Sequence, residues 1–129
     1  LVKQQPTNLQ YQDDLARANY NFGNFCYARS KPEAIAAYLR AREIWEPLLQ
    51  KHPTTIDYQI TLSSTCYNLG GLYQATREFK EAVAAYRQSR EIRERLVEQF
   101  PEVRVHQMKL AANCMRLGHL YFNTKHGIG

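Results

Sequence analysis

Apolar residues recur at helical spacing through most of the chain. In the middle of the sequence, Leu62, Cys66, Leu69 and Tyr73 follow one another at steps of four, three and four residues, which places them on one face of an α-helix. No segment alternates apolar and polar residues as a half-buried strand does. The pattern predicts an all-α chain with helices over residues 8–28, 31–51, 55–76, 79–99 and 103–124.

Capping residues indicate where the first two helices begin. Thr7 with Gln10, and Ser30 with Glu33, have the spacing of a capping box, in which the hydroxyl and the later side chain satisfy backbone amides at the helix start. Pro47 lies inside the second predicted helix, where it removes one backbone hydrogen bond. We therefore expect that helix to kink near residue 43 or to end early.

The sequence repeats itself with a period of 47 to 48 residues. Pro6, Pro53 and Pro101 open three units. Each proline is followed five residues later by one of the aligned pairs Tyr11-Gln12, Tyr58-Gln59 and His106-Gln107. Such a repeat predicts a single domain of stacked antiparallel helical hairpins, with repeat 1 at 6–52, repeat 2 at 53–100 and a truncated repeat 3 at 101–129. Residues 1–5 align with the ends of helices and are expected to close a preceding second helix, so that the chain would be a fragment of a longer array.

Three glycines share one position of the repeat. Gly23, Gly70 and Gly118 lie mid-helix, where glycine costs about 1 kcal/mol relative to alanine. A close approach by the neighbouring helix would explain this cost, and each second helix supplies small residues for such a contact. The sequence therefore predicts close helix packing at all three glycines.

These positions resemble the tetratricopeptide repeat (TPR) family. Its pattern of apolar residue, Leu-Gly, Tyr, Ala and aromatic residue is met by Cys66, Leu69, Gly70, Tyr73, Ala82 and Tyr86. Repeat 1 departs from it at Cys26, which stands where the family has Tyr. The period exceeds the usual 34 residues, and the chain looks most like long-period arrays of large bacterial proteins such as planctomycete-type serine/threonine kinases. The resemblance implies a right-handed array of helical hairpins.

The resemblance also implies a binding surface on the first helix of each repeat, called helix A here. Extended peptides or partner proteins bind the concave helix A face in the family. The matching positions here are Arg17, Tyr20, Asn21, Asn24, Tyr27, Asn68, Gln74, Arg116, His119 and Asn123. Asparagine can donate to and accept from a peptide backbone, and tyrosine offers a rigid contact surface. The alternative interpretation is that Asn21 and Asn68 only bond to neighbouring helices.

Some family members hold a C-terminal carboxylate with two lysines, two asparagines and an arginine. Asn24, Asn68 and Arg116 match three of these positions. Tyr20 and Ala112 occupy the two lysine positions, so the paired positive charge is missing and we do not expect a strong carboxylate clamp.

Charge leaves nucleic-acid binding as an alternative function. The chain has 17 Lys and Arg against 12 Asp and Glu, a formal net charge of +5. Basic residues of the second helices, such as Arg90 and Arg93, nevertheless alternate with Glu91 and Glu94, which is typical of a solvated helix face. Binding of RNA is therefore the less favoured prediction.

No pattern of a catalytic site occurs in the sequence. Four histidines and three cysteines lack metal-ligand spacing, and no phosphate loop or catalytic triad is present. We expect the chain to have no enzymatic activity and to bind no cofactor, no metal and no membrane. Cys66 and Cys114 share one repeat position and are expected to pack in the core as inert thiols. Free thiols favour a reducing, cytoplasmic location.

The third repeat lacks a second helix, so apolar residues of the last helix should face water. Leu117, Leu120, Tyr121 and Phe122 cannot all turn inward. Since large exposed apolar patches are often association sites, we expect self-association through the repeat ends, with a homodimer as the preferred form.

Overall fold

The computed structural model describes residues 8–125, except the side chain of Lys125, and this part of the chain contains five α-helices and no strand. The helices are α1 (Leu9–Cys26), α2 (Lys31–Lys51), α3 (Ile56–Ala75), α4 (Phe79–Gln99) and α5 (Arg104–Lys125). Every predicted helix is present, and each observed boundary lies within two residues of the predicted one. The all-α prediction is confirmed.

The chain divides into two compact units, and the point of division along the sequence lies in α3, between Thr65 and Cys66. The first unit holds α1 packed against α2, and the second holds α4 packed against α5. Helices α1, α3 and α5 are the A helices of the repeat, and α2 and α4 are its B helices. The repeat boundaries and the single domain remain predictions.

Helix starts follow the predicted positions but use other caps. Asn8 caps α1, and its side-chain oxygen accepts from the backbone N–H groups of Gln10 at 2.7 Å and Tyr11 at 3.2 Å. Thr7, the predicted cap, lies outside the described residues. Ser30 occupies the N-cap of α2 without a side-chain cap bond. Its hydroxyl therefore does not accept from the backbone N–H of Glu33, and the capping box predicted there is wrong.

Helix α2 does not end early. It continues past Pro47 to Lys51. Its last turns carry the buried residues Trp45, Leu48 and Leu49, whose packing against neighbouring elements holds the helix beyond the proline. Tertiary burial therefore outweighs the one hydrogen bond that proline removes.

The turn that precedes an A helix is built the same way twice. Before α3, the side-chain nitrogen of Gln59 donates to the carbonyl of Pro53 at 2.7 Å, and the rings of His52 and Tyr58 lie 6.4 Å apart. The turn before α5 repeats both contacts with Gln107, Pro101, Phe100 and His106. In both turns the glutamine thus supplies a hydrogen-bond donor to the carbonyl of the turn's proline.

Two of the three glycines receive a tyrosine ring. A Cβ atom added to Gly23 would lie 2.6 Å from the ring of Tyr38, and one added to Gly70 would lie 2.7 Å from the ring of Tyr86. At Gly118 an added Cβ would meet nothing within 4 Å. The predicted close contact is therefore confirmed at two glycines and wrong at Gly118, because no B helix follows α5 among residues 8–125.

The apolar residues of α5, and the two cysteines that share one repeat position, differ in exposure. Leu117 and Leu120 pack with Ala82 and Tyr86 in a buried cluster, whereas Tyr121 and Phe122 are exposed. Cys66 is buried as predicted, but Cys114 is exposed. Among residues 8–125, no helix covers the face of α5 that carries Cys114 in the way that α4 covers another face of α5. The core assignment of Cys114 was wrong.

Arg93 is buried rather than solvated. Only 4% of its surface is exposed, and its Nη1 donates to Oδ1 of Asn113 at 2.6 Å and to the carbonyl of Lys109 at 3.2 Å. The guanidinium lies 4.8 Å from the centre of the Tyr67 ring. Arg93 therefore belongs to the core of the second unit, and its assignment to a solvated helix face was wrong.

Candidate functional site

In the first unit, three of the predicted binding residues contact Tyr38 of α2. The hydroxyl of the buried Tyr38 donates to Oδ1 of Asn24. The rings of Tyr20 and Tyr27 lie 5.8 Å and 6.5 Å from that of Tyr38. Tyr38 thus fills the space over Gly23 and at the same time fixes one amide and two aromatic rings along one flank of α1.

A charged pair lies further along the same flank. Arg17 and Asp13 form an ion pair at 3.2 Å, and the guanidinium of Arg17 lies 5.8 Å from the centre of the Trp45 ring. The indole nitrogen of Trp45 donates to Oδ1 of Asp13 at 2.9 Å. Asn21 lies nearby in the helix sequence and is exposed. Arg17 is therefore oriented by a carboxylate and an indole ring at once.

In the second unit, Tyr86 of α4 takes the place of Tyr38. Its hydroxyl donates to Oε1 of Gln74 at 3.4 Å, and its ring lies 5.4 Å from that of Tyr67. Nε of Arg116 donates to the hydroxyl of Tyr67 at 3.3 Å. Tyr67 thereby links α5 to α3, and it joins Arg116 to the same cluster as Gln74.

The ten predicted residues share partial or full exposure. None of them is buried: Asn21, Asn24, Tyr27, Arg116 and His119 are exposed, and Arg17, Tyr20, Asn68, Gln74 and Asn123 are half-buried. Within each unit the structure joins several of them through a tyrosine of the B helix. His119 and Asn123 lie one and two helical turns from the joined residues and have no described role in these clusters.

Sequence reasoning missed Arg93, although its position carried a signal. Arg93 follows Tyr86 by seven residues, on the face of α4 that also buries Ala82, Ser89 and Leu96. The alternating charges around Arg93 concealed this periodicity. Helical phase, rather than residue type, would have placed it in the core.

An apolar stripe on α1 was also missed. Tyr11, Leu15, Phe22 and Phe25 are exposed, and the rings of Phe22 and Phe25 stack at 6.3 Å. The corresponding positions of α3 hold Tyr58, Leu62, Leu69 and Leu72, all of which are buried. Comparison of the repeat positions in the sequence could have identified the stripe.

The pKa values of Tyr58 and Lys109 are displaced. Burial, followed by the charges of Asp13 and Asp57, raises the pKa of Tyr58. Burial, followed by the charge of Arg93, lowers the pKa of Lys109. Neither group belongs to the ten predicted residues, so these shifts report local packing in each unit rather than a proton-transfer site.

The described residues contain no cluster of three or more His, Cys, Asp or Glu side chains that could hold a metal ion. None of the helices found between residues 8 and 125 combines the length and apolar character needed to cross a bilayer.

Comparison with known proteins identifies the repeat. The sequence profile of the Tetratricopeptide repeat family matches residues 14–95, which is 82 of the 129 residues. No curated protein matches the chain, and no solved structure matches it.

Proposed function

Because the chain belongs to the tetratricopeptide repeat family, whose repeats generally mediate protein–protein interaction, we propose that it is a non-catalytic scaffold that binds an extended peptide on the A-helix flanks. The flank in the first unit is formed by α1 around Tyr38. The flank in the second unit is formed by α3 and α5 around Tyr86. The second flank offers the sharper test, because two helices contribute to it.

The observation that carries this proposal is a tyrosine-held amide in each unit. The B-helix tyrosine donates its hydroxyl to Asn24 in the first unit and to Gln74 in the second. When the amide oxygen accepts a hydrogen bond from a buried tyrosine, the amide nitrogen with its two N–H donors lies on the side away from that tyrosine. Rotational freedom is therefore reduced before any ligand arrives, which lowers the entropic cost of binding.

The chemistry of the second flank favours acceptor groups on the ligand. Gln74 and Arg116 supply donors, and Tyr67 supplies an aromatic surface beside them. Asn68 lies on α3, as Tyr67 and Gln74 do, and is half-buried. Carbonyl groups of an extended peptide backbone fit such donors. The lysine pair of a carboxylate clamp is replaced by Tyr20 and Ala112, so recognition should not require a free C-terminal carboxylate.

An array of ten-residue peptides, in both carboxylate and amide forms, tests the proposal with the full chain. We expect the double variant Asn68→Ala with Arg116→Ala to lose at least about tenfold in affinity for the bound peptides, as loss of central interface contacts does. The matched control is Arg95→Ala with Gln99→Ala, which removes one arginine and one amide from exposed positions of α4. The control should bind as the parent chain does.

A milder variant tests the role of the tyrosine hydroxyl. Tyr86→Phe keeps the ring over Gly70 but removes the bond to Gln74, so affinity should fall by several fold with little change in fold by circular dichroism. Peptide binding that ignores both this change and the double variant would contradict the proposal. Binding of a uridine oligonucleotide instead, with the steep salt dependence of phosphate contacts, would favour the RNA alternative.

A further inference from the structure

Positive charge is concentrated in the second unit. Residues 66–129 contain ten Lys and Arg against six Asp and Glu, whereas residues 1–65 contain seven against six. The six acidic residues of the second unit belong to α4 and to the turns on either side of it. Residues 66–75 of α3 are uncharged, and α5 has no Asp or Glu. The A helices of this unit therefore contribute cations and no carboxylate.

The A helix of the first unit has a different charge balance. Arg17 of α1 forms an ion pair with Asp13, one helical turn away, at 3.2 Å, and Asp14 adds a second carboxylate to the same helix. In the second unit, Nε of Arg116 donates to the hydroxyl of Tyr67 at 3.3 Å. This bond orients the guanidinium but does not neutralise it, because the acceptor is a hydroxyl group rather than a carboxylate.

A second guanidinium lies against the ring of Tyr67. It belongs to the buried Arg93 of α4 and is 4.8 Å from the ring centre. Its Nη1 donates to the carbonyl of Lys109 and to Oδ1 of Asn113, and both of these acceptors are neutral. The acidic residues of α4 are all exposed and lie at least about 100° from Arg93 around the helix axis. Tyr67 thus has one cation against its ring and another at its hydroxyl.

The charge of Arg93 acts on α5 as well. It is the second cause, after burial, of the lowered pKa of Lys109. A buried charge is screened by salt and water less than an exposed one, so Arg93 raises the positive potential around Tyr67. An anionic group that approaches Arg116 is therefore attracted by both guanidinium groups.

We propose that the second flank selects peptides with an acidic side chain, whose carboxylate pairs with Arg116, and that Arg93 is a positioning residue that strengthens this preference through Tyr67. The inference rests on the proposed function and adds the class of ligand residue. A carboxylate can accept two parallel N–H bonds from one guanidinium. Because Tyr20 and Ala112 replace the lysine pair of a clamp for chain ends, the carboxylate is that of Asp or Glu within the peptide.

The test uses the full chain and the amidated ten-residue peptides that the array retains. Each peptide is made with its acidic residues and again with Asn and Gln in their place, and fluorescence anisotropy gives the two dissociation constants. We expect the acidic form to bind at least about tenfold more tightly, since charge-assisted hydrogen bonds are the strong ones. Arg116→Gln should bring this ratio to about one. Arg93→Met should lower it several fold, and Arg93→Lys should restore most of it.

Arg95→Gln is the matched control, since it removes one charge from an exposed position on the opposite side of α4 from Arg93. It should leave the ratio unchanged. Arg93→Met should stay folded by circular dichroism, because an apolar residue of similar volume often replaces a buried charge without loss of stability. If Arg93→Met weakens the acidic and neutral forms equally, Arg93 has only a structural role and its part in the proposal is overturned.

The remaining outcomes separate this inference from the proposed function. Equal affinity for the acidic and neutral forms, or retention only of peptides without Asp and Glu, overturns the inference and leaves peptide binding by the A-helix flanks in place. Absence of binding by every peptide removes the proposed function and this inference with it. Binding of a uridine oligonucleotide but not of acidic peptides, with the steep salt dependence of phosphate contacts, also overturns it and assigns the cations of the second unit to nucleic acid.

Discussion

The two units place different residues at one position of the repeat and bury both. Trp45 of α2 and Arg93 of α4 are equivalent, and each lies against the equivalent A-helix tyrosine, with Trp45 5.9 Å from Tyr20 and Arg93 4.8 Å from Tyr67. Trp45 donates once, to Asp13. Its stabilisation is therefore chiefly apolar burial.

Arg93 requires a polar environment because its charge is withdrawn from water. Asn113 is the centre of that environment. It accepts from Arg93 at 2.6 Å and from Ser89 at 3.4 Å, and it donates to the carbonyl of Tyr86 at 3.2 Å. One backbone geometry therefore accommodates an apolar anchor in one unit and a hydrogen-bonded cation in the other, and the two should respond differently to substitution.

The largest effect is expected at Trp45. Trp45→Ala removes the largest buried side chain of the first unit and should lower the free energy of unfolding by about 3–5 kcal/mol. Thermal and urea denaturation measure this change. Trp45→Phe is the control, because it retains much of the apolar burial and should cost less. Equal losses in the two variants would mean that the bond to Asp13, rather than apolar burial, stabilises this position.

In the second unit, the corresponding test removes Asn113, which accepts the hydrogen bond, rather than the buried side chain of Arg93. Asn113→Ala leaves the buried guanidinium without its shortest hydrogen bond and should cost about 1.5–3 kcal/mol. Urea denaturation should show a smaller cost for the same change in an Arg93→Met background, where no charge needs the amide. Additive losses in this double-mutant cycle would contradict the network, since coupled residues deviate from additivity.

The helices could be predicted from the sequence because the repeat supplies the same signal several times. Helix boundaries followed from Pro53, Pro101 and the apolar spacing, and the family followed from Leu69-Gly70 and its partners. The burial of Arg93 could not be predicted from residue type, since charged residues rarely lie in cores. It depends on Asn113, which is contributed by the next helix and is 20 residues away in the sequence.

The ten candidate residues could be selected from the family register, but the contacts that they make could not be predicted. The family register placed Asn24 and Gln74 on one flank of their helices, and in the structure Asn24 is exposed and Gln74 is half-buried. The bonds to Tyr38 and Tyr86 depend on ring placement over Gly23 and Gly70, which no local pattern specifies. The exposure of Gly118 likewise depends on which helices surround α5.

A smaller effect on stability, opposite in sign, is expected at two glycines of the repeat, Gly70 against the Tyr86 ring and Gly118 with nothing within 4 Å. Gly70→Ala forces the added methyl group into the ring of Tyr86 and should destabilise by about 1–3 kcal/mol. Gly118→Ala meets no neighbour and should stabilise by up to about 1 kcal/mol through helix propensity. Calorimetric melting of the two variants decides the matter. Destabilisation by both would mean that Gly118 also faces a neighbour in solution.

The smallest expected effect concerns Lys109, whose carbonyl accepts from Arg93 and whose pKa is lowered by burial and then by the charge of Arg93. A lowered pKa means that the folded state releases this proton at lower pH than the unfolded state, whose value is near 10.5. The unfolded state then binds more protons, so the free energy of unfolding gains a positive contribution as pH rises through this range. Lys109→Met removes the charge and should slightly stabilise the protein at neutral pH, with an advantage that shrinks as pH approaches 10.5.

The raised pKa of Tyr58 acts in the opposite direction, because above pH 10.0 the unfolded state ionises more readily and stability falls. The Tyr58 contribution is the same in the parent protein and in the Lys109→Met variant, so it cancels when their free energies of unfolding are subtracted. The difference should also diminish in the Arg93→Met background, where the second cause of the shift is gone. An advantage that stays constant from pH 7 to pH 10.5 in urea denaturation would show that the methionine acts by apolar packing, and that the cation in the core of the second unit is electrostatically isolated from its surface.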